Sequence, residues 1–150
     1  DVFAFNTYRL SPNVEYLDAV MAAVDMPRID GEFHFGTIDR GMAPGLVQVA
    51  NQEERAVAFR YFAENGFSHP ALVGIAWFQY TDQGLMGRAD GERYNIGLVD
   101  VVDRPYPIVN GIRAAAENIF NVHSGIQKPF SQIPLGLRGN EDDLLSKSNQ

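Results

Sequence analysis

The sequence predicts an α/β fold in which parallel strands alternate with helices packed outside the sheet. Three segments with the composition of buried strands, residues 2–8, 28–33 and 72–80, are each followed by a segment whose apolar residues have helical spacing. Strict alternation of strand and helix is typical of a parallel sheet, because parallel strands need a crossover connection. Polar or aromatic side chains end all three strands, which favours part of a (β/α)₈ barrel over an open doubly wound sheet.

The first helix is predicted from an N-cap and an apolar stripe. Ser11 and Pro12 supply the cap and the first-turn proline of a helix that extends to Asp25. One buried face is expected to contain Val14, Leu17, Met21 and Val24. Pro27 then ends the helix before the second strand.

The second and third helices follow the same logic. Asn51 with Glu54 three residues later predicts a capping box that opens a helix running to Gly66. Its expected buried face consists of Ala56, Phe59 and Phe62. The last helix begins near Pro107, and its apolar stripe is Ile108, Ile112, Ala115 or Ala116, and Ile119.

The remaining segments are a strand, a long loop and a tail. The continuous apolar run LVGIAWFQY, residues 72–80, predicts a strand covered on both faces. The loop at residues 81–104 is too long for a simple connector, which indicates a functional role. We expect a domain that forms part of a barrel over residues 1–122 and a poorly ordered tail over residues 123–150.

Composition excludes several classes of protein. The 150 residues are 45% apolar, contain no cysteine and have a formal net charge of -7. That charge repels phosphate backbones and anionic lipids, so neither nucleic acid nor a membrane is an expected partner. Without cysteine, a zinc-thiolate site and thiol catalysis are impossible, although the compartment stays open.

Glu32 is the most informative residue, because a carboxylate at the end of a buried strand must be paired, solvated or used for chemistry. The structural alternative is an ion pair with Arg28 or Arg40. Trp77, followed by Gln79 and Tyr80, is core or a sugar platform, since sugars stack on aromatic rings beside polar groups.

The other polar groups give no sign of a metal or cofactor. His34 is interpreted as a hydrogen-bonding partner of a sugar or carboxylate, with a structural histidine as the alternative. The three histidines match no metal-ligand spacing, and the glycines of residues 84–91 form no phosphate-binding motif. The acidic groups of the long loop are interpreted as solvated charges rather than a cation site: Asp82, Asp90 and Glu92.

Three stretches then carry a family resemblance: FAFNTY at residues 3–8, EFHFGTIDRGM at 32–42 and WFQYTDQGLMGRADGERYNIGLVDVVDRPYP at 77–107. They resemble the C-terminal part of family 50 glycoside hydrolases, the β-agarases, over residues 1–122. The resemblance implies strands six to eight of a retaining (β/α)₈ glycosidase. It places Glu32 at the nucleophile position, Tyr8 on the sixth-strand rim and Trp77 on the eighth-strand sugar platform. Further expected substrate-binding residues are Asn6, His34, Gln79 and Arg88.

The resemblance also implies what this chain lacks. The acid/base glutamate would lie upstream of Asp1, in a missing N-terminal barrel half that we expect as a partner. Asp30 is expected on the other side of its strand, and Asp82 lies in a loop, so neither supplies the second carboxylate. The expected substrate is a neutral galactan such as agarose, with no cofactor, and the full-length protein is expected to be secreted or periplasmic. The alternatives are a β-galactosidase-like barrel fragment of the same clan and a non-catalytic sugar-binding fragment.

Overall fold

A computed structural model of the chain describes residues 1–12 and 14–139. The elements in chain order are β1 (Phe3–Asn6), α1 (Val14–Ala23), β2 (Arg28–Phe33), α2 (Gln52–Phe67), β3 (Leu72–Trp77) and α3 (Ile108–His123). The strands form one parallel sheet in the order β1-β2-β3. The predicted α/β fold with a parallel sheet and alternating helices is therefore confirmed.

The register of the sheet brings the carboxyl ends of all three strands to one edge. Asn6 of β1 pairs with Glu32 of β2, and Phe33 of β2 pairs with Trp77 of β3. The register shifts opposite Gly31, where the two strands approach closely, since a Cβ on Gly31 would lie 3.1 Å from Asn6 Oδ1. This irregularity immediately precedes Glu32 in β2.

An aromatic core lies between the sheet and the helices α2 and α3. Phe33 stacks on Phe62 with ring centroids 3.9 Å apart and planes inclined by 5°. Phe59, also predicted as buried, adds a third ring 5.7 Å from Phe33. The core is completed by Phe35, Val47, Val49, Ala58, Ala63, Tyr106, Ile108 and Ala115.

β3 is partly exposed, which corrects the prediction that this strand is covered on both sides. Val73 is 52% exposed and Ala76 is also exposed. The strand lies at one edge of the described sheet. The strand also ends at Trp77 rather than at Tyr80, where the chain turns into the long loop.

The predicted cap of α2 is present, whereas the predicted face of α1 is wrong. Asn51 Oδ1 accepts a hydrogen bond from the Glu54 amide at 2.9 Å. In α1 only Leu17 is buried, while Val14 and Met21 are 50% and 41% exposed. The helix lies beside β1, an edge strand, so one side of it has no covering element among the described residues.

Residues 124–139 run back along the body of the domain. Phe130 donates its backbone amide to Glu64 Oε2 at 2.8 Å, and the Arg60 guanidinium lies 4.3 Å from the Phe130 ring centroid. Arg138 exchanges two backbone hydrogen bonds with Gln48. Residues 140–150 of the predicted tail lie outside the described residues, and the domain boundary at residue 122 stays a prediction.

No helix in the described part of the chain has both the length and the hydropathy that crossing a membrane requires.

The contact between α2 and α3 depends on Gly111. A Cβ at this position would lie 2.2 Å from the carbonyl oxygen of Ala56. Gly111→Ala should therefore lower the free energy of unfolding by about 1 to 3 kcal/mol, because overpacking outweighs the gain in helix propensity. Urea unfolding measures this difference. Gly84→Ala is the matched control, since nothing lies within 4 Å of its added methyl group, and equal stability of the two variants would contradict the close packing.

Candidate active site

Tyr8 and Glu32 form the centre of the candidate site. The phenol of Tyr8, just beyond β1, donates a hydrogen bond to Glu32 Oε2 at 2.7 Å, and the Thr7 amide donates to the Glu32 carbonyl at 3.0 Å. Burial, this hydrogen bond and nearby carboxylates raise the pKa of Tyr8 well above its usual range. The phenol is therefore a permanent donor that fixes the Glu32 carboxylate at the strand edge.

The structural alternative for Glu32 has no support. Arg28 uses its two terminal nitrogens on the carbonyl oxygens of Met26 and Val24, at 2.6 and 2.7 Å. Arg40 lies over the Tyr106 ring, 5.6 Å from its centroid. The partner that the structure gives Glu32 is thus a tyrosine and not an arginine.

His34 packs against Tyr8 at the rim, the carboxyl edge of the sheet around Glu32. Its Nε2 accepts a hydrogen bond from the Leu46 amide at 2.8 Å, and its ring lies 4.8 Å from that of Tyr8. Gly45, with φ +77°, permits this packing, because a Cβ there would lie 2.4 Å from Nε2. The side chain is only 2% exposed, and its Nε2 is engaged by the following loop.

The environment keeps His34 neutral. Burial, with a smaller contribution from the positive charge of Arg55, lowers its pKa to about 4, while the backbone of Phe78 partly offsets both effects. Since Nε2 accepts a hydrogen bond, the proton of the neutral ring lies on Nδ1. That nitrogen has no hydrogen-bond partner among the described residues.

Phe78 and Arg88 extend the site across the end of β3. The Phe78 ring lies 6.3 Å from that of His34, and the guanidinium of Arg88 lies 5.7 Å from the Phe78 centroid. Arg88 also pairs with Asp90 at 3.0 Å and with Glu92 at 3.2 Å. Its charge is therefore balanced within the loop, and its planar group is held over the aromatic ring.

Tyr94 leads from this rim into a neighbouring groove. Its ring lies 6.3 Å from that of His34. The groove has a volume of about 370 Å³ and is lined by Ala43, Leu85, Met86, Gly87, Gly91, Arg93 and Tyr94.

The structure gives the other predicted site residues different surroundings. Trp77 donates its indole N–H to the Ile96 carbonyl at 2.8 Å and packs edge to face on Phe33 at 5.1 Å, within the aromatic core. Gln79 donates to the Thr81 carbonyl at 3.0 Å. Asn6 is exposed beside Gly31. Of the predicted residues, the structure thus brings Tyr8, Glu32 and His34 into direct contact.

A buried polar network joins the two loops that carry the rim. Asn95 donates to both carboxylate oxygens of Asp82 at 2.9 Å and accepts from Thr37 and Gln52 at 2.8 and 2.6 Å. Asp82 also accepts from the Tyr106 phenol at 2.6 Å, which together with burial raises the pKa of Tyr106 to about 12. Asp82, expected to be a solvated loop charge, is instead only 4% exposed because this network satisfies it.

Asp30 is a second buried carboxyl close to the rim. It is fully buried on β2, and its Oδ1 accepts from the Thr7 amide at 3.2 Å, whereas Oδ2 has no partner among the described residues. Burial raises its pKa to about 6, although hydrogen bonds from Thr7 act in the opposite direction.

The sequence analysis missed three features of this region. Phe78 was hidden inside an apolar strand run, and the Asp82–Asn95 network has no sequence pattern. Glu92 lies close enough to raise the pKa of Tyr8, yet its Oε2 accepts hydrogen bonds from Arg88 and Gln83.

No group of three or more potential metal ligands converges within the described parts of the chain.

Comparison with known proteins connects this geometry with a class of enzymes. No family model matches the chain. It is 37% identical over 123 residues to "Beta-agarase B" of Vibrio sp. (strain JT0107), covering 80% of this chain and 13% of that protein. It is 43% identical over 115 residues to "Beta-agarase A" of the same strain, covering 73% and 12%. The chain therefore spans about an eighth of the length of these two relatives.

Solved structures agree with the sequence relatives. A structure described as an exo-β-agarase aligns with TM-score 0.77 and 38% identity, covering 83% of this chain and 17% of that one. The structure of PfGH50B aligns with TM-score 0.76 and 38% identity, covering 81% and 17%. The parallel sheet and these relatives show that the chain is homologous to part of a glycoside hydrolase. More narrowly, the chain belongs to family 50 of the glycoside hydrolases, the β-agarase family.

The two buried titratable groups predict opposing pH dependences of stability. The pKa of His34 is lower in the folded than in the unfolded protein. Its contribution therefore lowers the free energy of unfolding as pH falls from 6.5 towards 4. Asp30, with a raised folded pKa, adds stability as pH falls through 6 towards 3.8. The two effects therefore oppose one another in the native sequence.

Asp30→Asn should remove the contribution of Asp30, so that the loss of stability caused by His34 at low pH is no longer opposed. We expect the free energy of unfolding of the variant, minus that of the native protein, to be about 2 kcal/mol larger at pH 7 than at pH 4. Urea unfolding at the two pH values measures this, with the exposed Asp25→Asn as control for the loss of one charge. An equal difference at both pH values would show that Asp30 does not titrate in this window.

Proposed function

We propose that this chain is the C-terminal part of a retaining glycoside hydrolase that cleaves β-galactosidic bonds in agarose or its oligosaccharides, with Glu32 as the nucleophile. The observation that carries the proposal is the Tyr8–Glu32 hydrogen bond at the carboxyl edge of a parallel sheet. Two relatives described as β-agarases, at 37% and 43% identity, supply the substrate class. The strands then correspond to the last three of a (β/α)₈ barrel, whose active sites lie at this edge.

The chemistry requires two carboxyl groups with different roles. In a retaining glycosidase an ionised carboxylate attacks the anomeric carbon while a protonated carboxyl group gives its proton to the leaving oxygen. Water then releases the sugar from the covalent glycosyl-enzyme. The Tyr8 phenol is protonated throughout the physiological pH range. It prepares Glu32 for the role of the attacking carboxylate, because it orients Glu32 and stabilises its charged form.

The second carboxyl group is proposed to lie outside this chain. Glu92 is the acidic side chain of the β3–α3 loop that acts on Tyr8, and it is occupied by Arg88 and Gln83. Asp30 is fully buried. Both groups are engaged within the fold, which supports assigning the second carboxyl group to another part of the full-length protein.

Substrate binding is assigned to the rim around Glu32. Phe78 is partly exposed beside Arg88 and His34, so the rim combines an apolar ring with polar groups, which is the combination that sugars need. Asn6 and Gln79 lie at the ends of the flanking strands as hydrogen-bonding groups. Trp77 is the proposed sugar platform of β3, and its ring also packs on Phe33 in the core.

The remaining proposals concern context. A polysaccharide substrate fits a secreted or periplasmic location of the full-length protein. A β-galactosidase-like specificity and a non-catalytic sugar-binding role are the alternatives, and hydrolysis of agaro-oligosaccharides in preference to aryl β-galactosides distinguishes the proposed activity from both. A β-glucuronidase of Faecalibacterium prausnitzii aligns at 19% identity with TM-score 0.56, which supports the fold alone.

Glu32→Gln in the full-length protein should lower kcat on agaro-oligosaccharides by at least ~10³-fold, because the amide retains the shape but not the nucleophilic charge. Affinity for the sugar should change little. Steady-state kinetics and calorimetric binding measure the two quantities separately. Glu117→Gln, an exposed change of the same chemistry on α3, is the control and should be fully active. Undiminished turnover in Glu32→Gln would exclude this residue as the nucleophile.

A further inference from the structure

The buried carboxyl of Asp30 has no role in the chemistry described so far. It is fully buried, one of its oxygens has no partner among the described residues, and burial raises its pKa towards neutrality. A buried carboxyl that is incompletely hydrogen-bonded destabilises a fold, and an apolar residue of similar size is ordinarily more favourable there. Positions that break such a rule are often functional.

Asp30 is connected to the nucleophile through the β1–α1 connection. Its Oδ1 accepts from the Thr7 amide at 3.2 Å, and the same amide donates to the Glu32 carbonyl at 3.0 Å. The next residue is Tyr8, whose phenol holds Glu32 Oε2 at 2.7 Å. The backbone segment that carries Tyr8 is therefore hydrogen-bonded to β2 at two residues, Asp30 and Glu32.

We propose that Asp30 is a positioning residue that acts through Thr7 and Tyr8 to orient the Glu32 carboxylate. This inference rests on the proposed function, in which Glu32 is the nucleophile. Asp30 contacts neither substrate nor reacting atoms, since it lies buried beneath the strand edge. Asp30 affects the placement of the Tyr8 phenol. A displacement of that donor raises the free energy of the transition state more than it lowers the affinity for substrate.

A substitution series separates positioning from a structural role. Asp30→Asn keeps an oxygen that accepts from Thr7, so kcat should stay within about twofold of the native value. Asp30→Leu removes the acceptor, and kcat should fall by roughly tenfold with KM unchanged. The Leu variant should nevertheless unfold at a urea concentration no lower than the native protein at pH 7, because the buried carboxyl is gone. A purely structural Asp30 would show lost stability and an unchanged kcat.

A double-mutant cycle tests the route through Tyr8. Tyr8→Phe removes the donor to Glu32, so adding Asp30→Leu should lower kcat by less than about twofold further. The cycle is measured in the full-length protein on agaro-oligosaccharides, with Asp25→Asn as the exposed control. Independent, multiplicative losses in the double variant would overturn the proposal. Full activity of Glu32→Gln would instead remove the proposed function, so the two failures are distinguishable.

Discussion

The buried guanidinium of Arg55 holds the two halves of the functional edge together. The side chain is fully buried and donates to the Phe35 carbonyl, to Gln52 Oε1 and to the Gly97 carbonyl, at 2.7, 2.7 and 2.5 Å. Burial lowers its pKa to about 10, which still leaves it charged at neutral pH. One planar cation thus satisfies acceptors from the segment after β2, from α2 and from the long loop after β3, and its loss would leave all of them unpaired.

The site depends on this constraint because the rim residues come from separate loops. Asn95 and Asp82 fasten the long loop from inside, and His34 fastens the loop after β2 through the Leu46 amide. With both loops fixed, Phe78 and Tyr94 are held at 6.3 Å from the His34 ring. Glu32 itself is set by backbone contacts and by Tyr8. Preorganisation of this kind would let the proposed nucleophile act on a sugar without reordering of the loops.

The sequence predicted elements whose signals are local. β2 and the Asn51 cap lie where strand composition and capping chemistry put them, and Phe59 and Phe62 are buried as helical spacing requires. The face of α1 and the second face of β3 were wrong, because burial depends on which neighbours are present and not on the apolar residues alone. For the same reason, Phe78 and the Asp82–Asn95 network could not be predicted, since their contacts join residues far apart in the chain. Glu32 stood out because a carboxylate at the end of a buried strand is itself a local anomaly.

The central claim is that Glu32 forms a covalent bond with the sugar. The most direct test is to incubate the full-length protein with an activated 2-deoxy-2-fluoro-β-galactoside or its agarobiose counterpart, digest it and sequence the labelled peptide by mass spectrometry. The fluorine slows hydrolysis of a glycosyl-enzyme and allows it to accumulate. The account predicts one fluoroglycosyl group per molecule, on Glu32 within the segment RIDGEFHFG. A label on any other carboxylate, or turnover of the natural substrate with inversion at the anomeric carbon, would contradict it.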